Sequence, residues 1–283
     1  MDSATNEQSH TIAALQLICF SRRDEEERAQ REEEVEVDSW PIRLYTYLPL
    51  RFISRLWGTL NALAAPVPPL SFLYTAYSSA FGCNHEEMKQ PDLQAALKKG
   101  ARGVERGNVL VSPSDGRVLH FGRVSVETDR IEQMKGIAYS VSALLGASTA
   151  SLAPVPKPGN ALFFCVIYLA PGDDHRLRRI EIFSVSPWMV ERVSNLFVLN
   201  ERVALLGERQ HGFFSMIPVG ATNAGSIVID FDPPTAVPLR HGDQMGGFKL
   251  GSTVVLVFEA PEKIAFSTVA GERVRVGEAI GNW

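Results

Sequence analysis

From Asn108 to Trp283, short runs rich in Val, Ile, Leu and Phe alternate with Gly, Pro, Asp and Asn. That alternation constrains the fold more than any other feature of the chain. The runs are VLVS (109–112), RVLHFGRVSV (117–126), ALFFCVIYLA (161–170), RVALLG (202–207), GFFSMIPVGA (212–221), SIVIDF (226–231), STVVLVFEA (252–260) and ERVRVGEAIG (272–281). Each has strand length and is bounded by residues that turn a chain, which predicts antiparallel hairpins. Residues 157–160 and 232–238 read as loops, and a helical pattern returns briefly over 187–196. No repeat of fixed period is visible. The expectation is a β-rich core over 108–283.

The residues before that core differ. Over 40–107 the pattern reads as helical. In PIRLYTYLPLRFISRLWGTLNAL the apolar positions Ile42, Leu44, Leu48, Leu50, Ile53, Leu56 and Trp57 recur at three- and four-residue spacings, with Arg43, Arg51 and Arg55 between them. Two readings stay open for this segment. It can lie on an anionic membrane surface, or pack on the domain with its arginines in water. Residues 1–39 read as a charged tail, disordered or helical. Within it, 22–36 holds 4 Arg and 8 acids and so carries the whole net charge of −4. The remaining chain is neutral, with no electrostatic case for a nucleic-acid partner.

Other classes are also excluded. The 283 residues, 45% apolar and 21% charged, have globular composition. No strongly apolar run reaches 18 residues, and the nearest, 63–83, is broken by Pro66, Pro68 and Pro69. IAALQLICF (12–20) is too short to anchor alone, and MDSATNEQ has no secretory or mitochondrial leader character. Cys19, Cys83 and Cys165 show no CxxC spacing, and six scattered histidines form no metal-ligand pair. Reduced thiols are expected, with no disulfide and no metal.

The chemistry rests on Gly251-Ser252-Thr253 within GGFKLGSTVVLVFEAP. Alone, such a triplet is a turn before a strand. Yet a serine hydroxyl can attack the carbonyl of the residue before it and turn the peptide bond into an ester. Glycine at that position minimises hindrance and allows a strained backbone. Elimination then splits the chain and leaves dehydroalanine, which hydrolyses to a pyruvoyl group able to do electron-sink chemistry.

Seven ordered motifs give the triplet a context: PLRFISRLWGTLN (49–61), VSPSDGRVLHFG (111–122), QMKGIAYSV (133–141), CVIYLAPGDDHR (165–176), NLFVLNERVALLG, HGFFSMIPVGATNAGSI and MGGFKLGSTVVLVFEAP. Together, over about residues 40–283, the chain resembles the phosphatidylserine decarboxylases of the eukaryotic mitochondrial type. The resemblance implies an α+β fold: a β-rich core of antiparallel strands behind an N-terminal helical region. It implies cleavage between Gly251 and Ser252, a β chain of 1–251, an α chain of 252–283, and a pyruvoyl group made from Ser252. The substrate amine would join that group as a Schiff base, and carbon dioxide would leave phosphatidylserine to give phosphatidylethanolamine. Asp115 in SPSDG matches the aspartate of the self-cleavage relay, where it would orient a histidine; read alone, it is a turn residue before Gly116. His175 matches the histidine assigned to decarboxylation, as proton donor to the carbanion. No metal is implied. The partners implied are the phospholipid substrate, a membrane surface and the two chains of one precursor, with a homo-oligomer left open. The membrane surface would be met by 42–57 and by aromatics such as Trp57, Phe72 and Tyr74. The address implied is the mitochondrial inner membrane.

The chain also departs from the family pattern. The family has D-Y-H-x-x-H-x-P, whereas this chain has Asp173-Asp174-His175-Arg176-Leu177-Arg178-Arg179-Ile180. Arg178 stands where the relay histidine belongs, and a guanidinium is no general base near neutral pH. Family segments are missing after Pro91-Asp92-Leu93 and between Asp232 and Arg240. Three readings follow: an active enzyme whose sequence has lost pieces, an inactive relative, or a substitute base, with His175 and His211 as candidates. Alone, His211 reads as a loop or core histidine. A non-catalytic lipid-binding or scaffolding relative is the competing class. A lipoyl-type carrier is disfavoured, because Lys249 and Lys263 sit in no carrier motif.

Overall fold

The computed structural model describes residues 15–20, 103–125, 130–132, 138–146, 155–169, 190, 196–200, 202–220, 227–230, 238–239, 243–248 and 252–283. Among them, β-strands dominate. The charged run 22–36, the segment 40–102 with its amphipathic stretch, and His175 and Arg178 lie outside the described residues.

A seven-stranded sheet organises the molecule. Its strands are β1 (Leu15–Phe20), β3 (Gly116–Arg123), β6 (Asn160–Leu169), β7 (Arg202–Arg209), β8 (Gly212–Val219), β11 (Ser252–Pro261) and β13 (Arg273–Val274). Their spatial order is β1-β7-β8-β11-β6-β3-β13, and every neighbouring pair is antiparallel. A three-stranded sheet orders β12 (Ala265–Phe266), β14 (Ala279–Asn282) and β2 (Val109–Val111). Two small ribbons complete the set. One pairs β4 (Arg130–Glu132) with β5 (Ala138–Ser140), the other β9 (Val228–Ile229) with β10 (Gly246–Gly247).

The central strands explain their own burial. In β11 residues 252–260 are all buried, and β6 is nearly so. Apolar residues occupy both parities of these strands, so each face of the sheet has a partner layer. Val255 and Val257 point to one face, where they pack with Val141, Leu144, Leu145, Leu196 and Phe197. Those residues belong to two short helices, α1 (Val141–Leu145) and α2 (Leu196–Leu199). Val254, Leu256 and Phe258 point to the other face, against Leu110 and Ile280 of the three-stranded sheet and Phe248. Ser140 starts α1 as its N-cap, its hydroxyl accepting from the Ala143 amide at 3.1 Å.

Expected strands and observed ones coincide over 109–111, 117–123, 161–169, 202–207, 212–219 and 252–260. Of SIVIDF (226–231) only Val228–Ile229 is strand among the described residues, and β4, β5, β10 and β12 lie outside the expected runs. Two other differences have a physical reason. The run ERVRVGEAIG breaks into β13 and β14, because Gly277 turns with φ 84° and a Cβ there would meet the Gly103 carbonyl at 2.6 Å. The charge pattern of 1–39 predicts no strand, yet Leu15–Phe20 pairs with β7 along its full length, Leu15 opposite Gly207 and Phe20 opposite Arg202. Six residues, too short to anchor in a bilayer, suffice to extend a sheet edge. Among the described residues, no helix is long and apolar enough to cross a membrane, and no group of His, Cys, Asp and Glu could hold a metal ion.

Candidate active site at one end of the central sheet

Ser252 is the first residue of β11, fully buried between β8 and β6. It stands opposite Leu169, the last residue of β6, and its neighbour Thr253 stands opposite both Tyr168 and Val219. The Ser252 hydroxyl donates to the Val219 carbonyl, at the end of β8. The nucleophile candidate therefore has one fixed orientation before any reaction. Gly251, the other side of the expected cleavage point, lies outside the described residues.

Asp115 sits at the same end of the sheet. It immediately precedes β3, whose Arg117 pairs with Tyr168, the residue that also pairs with Thr253. Asp115 and Ser252 thus flank the end of β6 from either side, two strand spacings or roughly 10 Å apart along the sheet. Gly116 explains the Asp-Gly pair: a Cβ there would meet the Ile167 side chain and the Tyr168 carbonyl at 2.7 Å, so only glycine lets β3 approach β6 this closely. The Asp115 carboxylate accepts from the Val276 amide at 2.8 Å, which ties the turn before β3 to the end of β13. The strand between the two candidates, β6, leads out of the sheet at this end, and His175 follows Leu169 by six residues in sequence.

His211 is not brought to this end. It occupies the turn between β7 and β8, and the whole of β8 separates it from Val219, roughly 26 Å of extended chain. Its ring meets the edge of Trp283 at 4.9 Å, and the Arg209 guanidinium lies 5.0 Å from the same indole. His211 as a substitute base for Ser252 is therefore corrected: it belongs to an aromatic cluster at the opposite end of the sheet, the loop or core role its sequence context also allowed. Burial there pushes Arg209 down to about 10, so it stays charged near neutral pH. Cys165, in the middle of β6, is pushed up to about 12 by burial and is free among the described residues. It is a packing residue, not a nucleophile.

Two site residues escaped the sequence reading. Arg202 opens β7 opposite Val219 and is only 2% exposed. Its guanidinium donates to the carbonyls of Leu144 (2.8 Å), Ala143 (2.6 Å) and Val198 (2.8 Å). It thereby caps the C-terminal ends of α1 and α2, where carbonyls lack helical partners and a cation is favoured. Asn200 donates to the Gly220 carbonyl at 3.0 Å. Both hold the strand end whose Val219 carbonyl orients Ser252. Nothing in ERVALLG distinguishes a clamping arginine from a solvated one.

The phosphatidylserine decarboxylase family model matches residues 93–282. The chain belongs to the phosphatidylserine decarboxylase family. Among curated relatives of this family, it is 32% identical to phosphatidylserine decarboxylase proenzyme 1, mitochondrial, of Saccharomyces cerevisiae, covering 96% of this chain and 82% of the relative. It is 37% identical to the mitochondrial phosphatidylserine decarboxylase proenzyme of Pongo abelii, covering 86% and 74%. It is 33% identical to the Schizosaccharomyces pombe proenzyme 1, covering 91% and 86%. The alignment with the budding-yeast decarboxylase runs over 409 positions, while this chain has 283 residues. The relative thus carries residues inside the matched region that this chain lacks, in keeping with the internal gaps expected from the motifs.

Proposed function

We propose that this chain is a mitochondrial phosphatidylserine decarboxylase proenzyme that cuts itself between Gly251 and Ser252 and then releases carbon dioxide from phosphatidylserine, giving phosphatidylethanolamine. One observation carries the reading beyond family membership. The serine of the Gly-Ser pair is buried at a strand start with its hydroxyl held by the Val219 carbonyl, while Asp115 lies across the end of β6 at the same sheet end.

The chemistry of maturation belongs to the chain itself. Ser252 Oγ attacks the Gly251 carbonyl carbon, the 251–252 C–N bond opens, and the freed amine takes a proton, leaving an ester. The Cα proton of residue 252 then passes to a base, and the Cβ–Oγ bond breaks with the electron pair leaving on the Gly251 carboxylate. Hydrolysis of the resulting dehydroalanine releases ammonia. The residues fit a pyruvoyl group at 252: a primary hydroxyl beside a glycine, at a strand start excluded from water. When formed, that group supplies an electron-accepting carbonyl for the substrate amine.

Asp115 orients the proton acceptor in this reading. With His211 at the far end of β8, His175, six residues after the end of β6 in sequence, is the remaining candidate for that acceptor. His175 also delivers the proton that quenches the carbanion after carbon dioxide departs. A lipid substrate brings the body to the mitochondrial inner membrane, with 42–57 as the contact segment.

Mass spectrometry tests the reading. The expected product is a fragment of 32 residues, about 3.5 kDa of the 31.1 kDa chain, blocked at position 252 by a pyruvoyl group. Ser252→Ala abolishes it. The alternative, a lipid-binding relative that never matures, is favoured by Arg178 in the relay position, and an intact chain without the fragment would decide for it.

A further inference from the structure

Thr253, the residue after the reacting serine, is fully buried, and its hydroxyl has no hydrogen-bond partner among the described residues. Its neighbours across the sheet are Val219 and Tyr168. Strand alternation puts its side chain on the face of Val255 and Val257, away from Ser252. A buried hydroxyl without a partner loses its hydrogen bonds to water and gains nothing in return, a cost of about 1–3 kcal/mol. Valine has the same shape, would fill the same space and would carry no such cost. Native structures keep few groups of this kind, and each calls for a physical reason.

The position of this one supplies the reason. Thr253 shares a peptide unit with the residue whose backbone is rebuilt, so the acyl shift takes place one residue away from it in the same buried strand. An interaction absent in the intact chain and formed only as the bond rearranges lowers the barrier rather than the ground state. We propose that Thr253 is a positioning residue for self-cleavage: its hydroxyl, unpartnered among the described residues, takes a hydrogen bond to the scissile backbone as the 251–252 peptide distorts toward the tetrahedral intermediate. Lying on the opposite face from Ser252 Oγ, it is neither a second nucleophile nor the base. It acts through the strand end that both residues share. This inference rests on the self-cleavage reading above.

The test uses the full chain and four variants. On a Ser252→Ala background, which cannot cleave, Thr253→Val melts at or above its parent, because it removes an unsatisfied hydroxyl without changing volume. On the Ser252 background, the same variant slows appearance of the C-terminal fragment about tenfold or more, the scale of losing one hydrogen bond realised on the way to the transition state. Thr253→Ser, which keeps the hydroxyl and drops the methyl, cleaves within about threefold of wild type, less than the loss of one such bond. Equal rates for wild type and Thr253→Val overturn the inference. So does a Thr253→Ser variant as slow as Thr253→Val, since packing by the methyl would then be the cause. A wild-type chain that stays intact overturns the self-cleavage reading and this inference with it, whereas a cleaving wild type with an equally fast Thr253→Val overturns this inference alone.

Discussion

At the scale of single residues, Glu259 shows how a charge survives inside a sheet. It lies near the end of β11 remote from Ser252, 6% exposed, between apolar neighbours. Its carboxylate accepts from the Lys157 amide (2.7 Å), the Asn160 amide group (2.9 Å) and the Phe213 amide (3.1 Å). Burial pushes the carboxyl up, but those hydrogen bonds and the Lys157 charge outweigh it and hold the group below the usual carboxylate range. The folded value thus lies under the unfolded one. The stability it contributes is present above the ordinary carboxylate range and is lost as pH falls through the folded value. Glu259→Gln puts an NH2 group against amide donors, so one donor loses its acceptor at a cost of about 1–3 kcal/mol. Melting temperatures across the acid range are the check. The wild type melts higher near neutrality, and the gap to the variant closes as pH falls below about 4.5. A gap that does not depend on pH would contradict the carboxylate account. The run STVVLVFEA reads as a strand from its pattern alone, but Glu259's three partners come from two distant turns, so its role was not legible there.

At the scale of elements, the same division between local and distant information recurs. Apolar runs and their Gly, Pro and Asn borders mark where β6, β8 and β11 begin and end, because turn chemistry and alternation are local. That β11 inserts between β8 and β6 is not local. Nor is the pairing of β1 with β7, which joins residues nearly two hundred positions apart. Arg202 shows the consequence: its neighbours in sequence are a strand, while its partners are two helix ends. Replacing it with leucine keeps the apolar stem but leaves the carbonyls of Ala143, Leu144 and Val198 without their donor, a loss of at least about 2 kcal/mol. Because Arg202 stands opposite Val219, the Ser252 acceptor loses its support as well. Arg202→Leu therefore lowers the denaturation midpoint in urea and slows fragment release. Arg202→Lys, a single ammonium facing three carbonyls, falls between. An Arg202→Leu variant with wild-type midpoint would show that the clamp contributes nothing.

For the whole molecule, cleavage at 251–252 would cut the chain at the start of its most deeply inserted strand. Every strand of the 252–283 fragment then depends on the rest of the fold or on its own partners there. β11 pairs with β6 over ten positions and with β8 over six, β13 pairs with β3, and β14 pairs with β2. The fragment also contributes Val254, Leu256, Phe258, Val274 and Ile280 to a core shared with Leu110, Val118 and Phe163. Breaking one peptide bond removes none of these contacts, and separation would expose the apolar faces of β11 together with the unpaired edges of β6 and β8. The matured protein therefore behaves as one body: in native size-exclusion chromatography the fragment travels with residues 1–251, and the two part only in denaturant. Ser252→Ala and the matured wild type elute together. Phe258→Ala, by opening a cavity where Phe258 stacks on Phe163 at 6.1 Å, costs about 3–5 kcal/mol and makes the matured form shed its fragment at lower urea than the wild type. Loss of the fragment from the wild type in native buffer would mean that the insertion of β11 does not survive the cut.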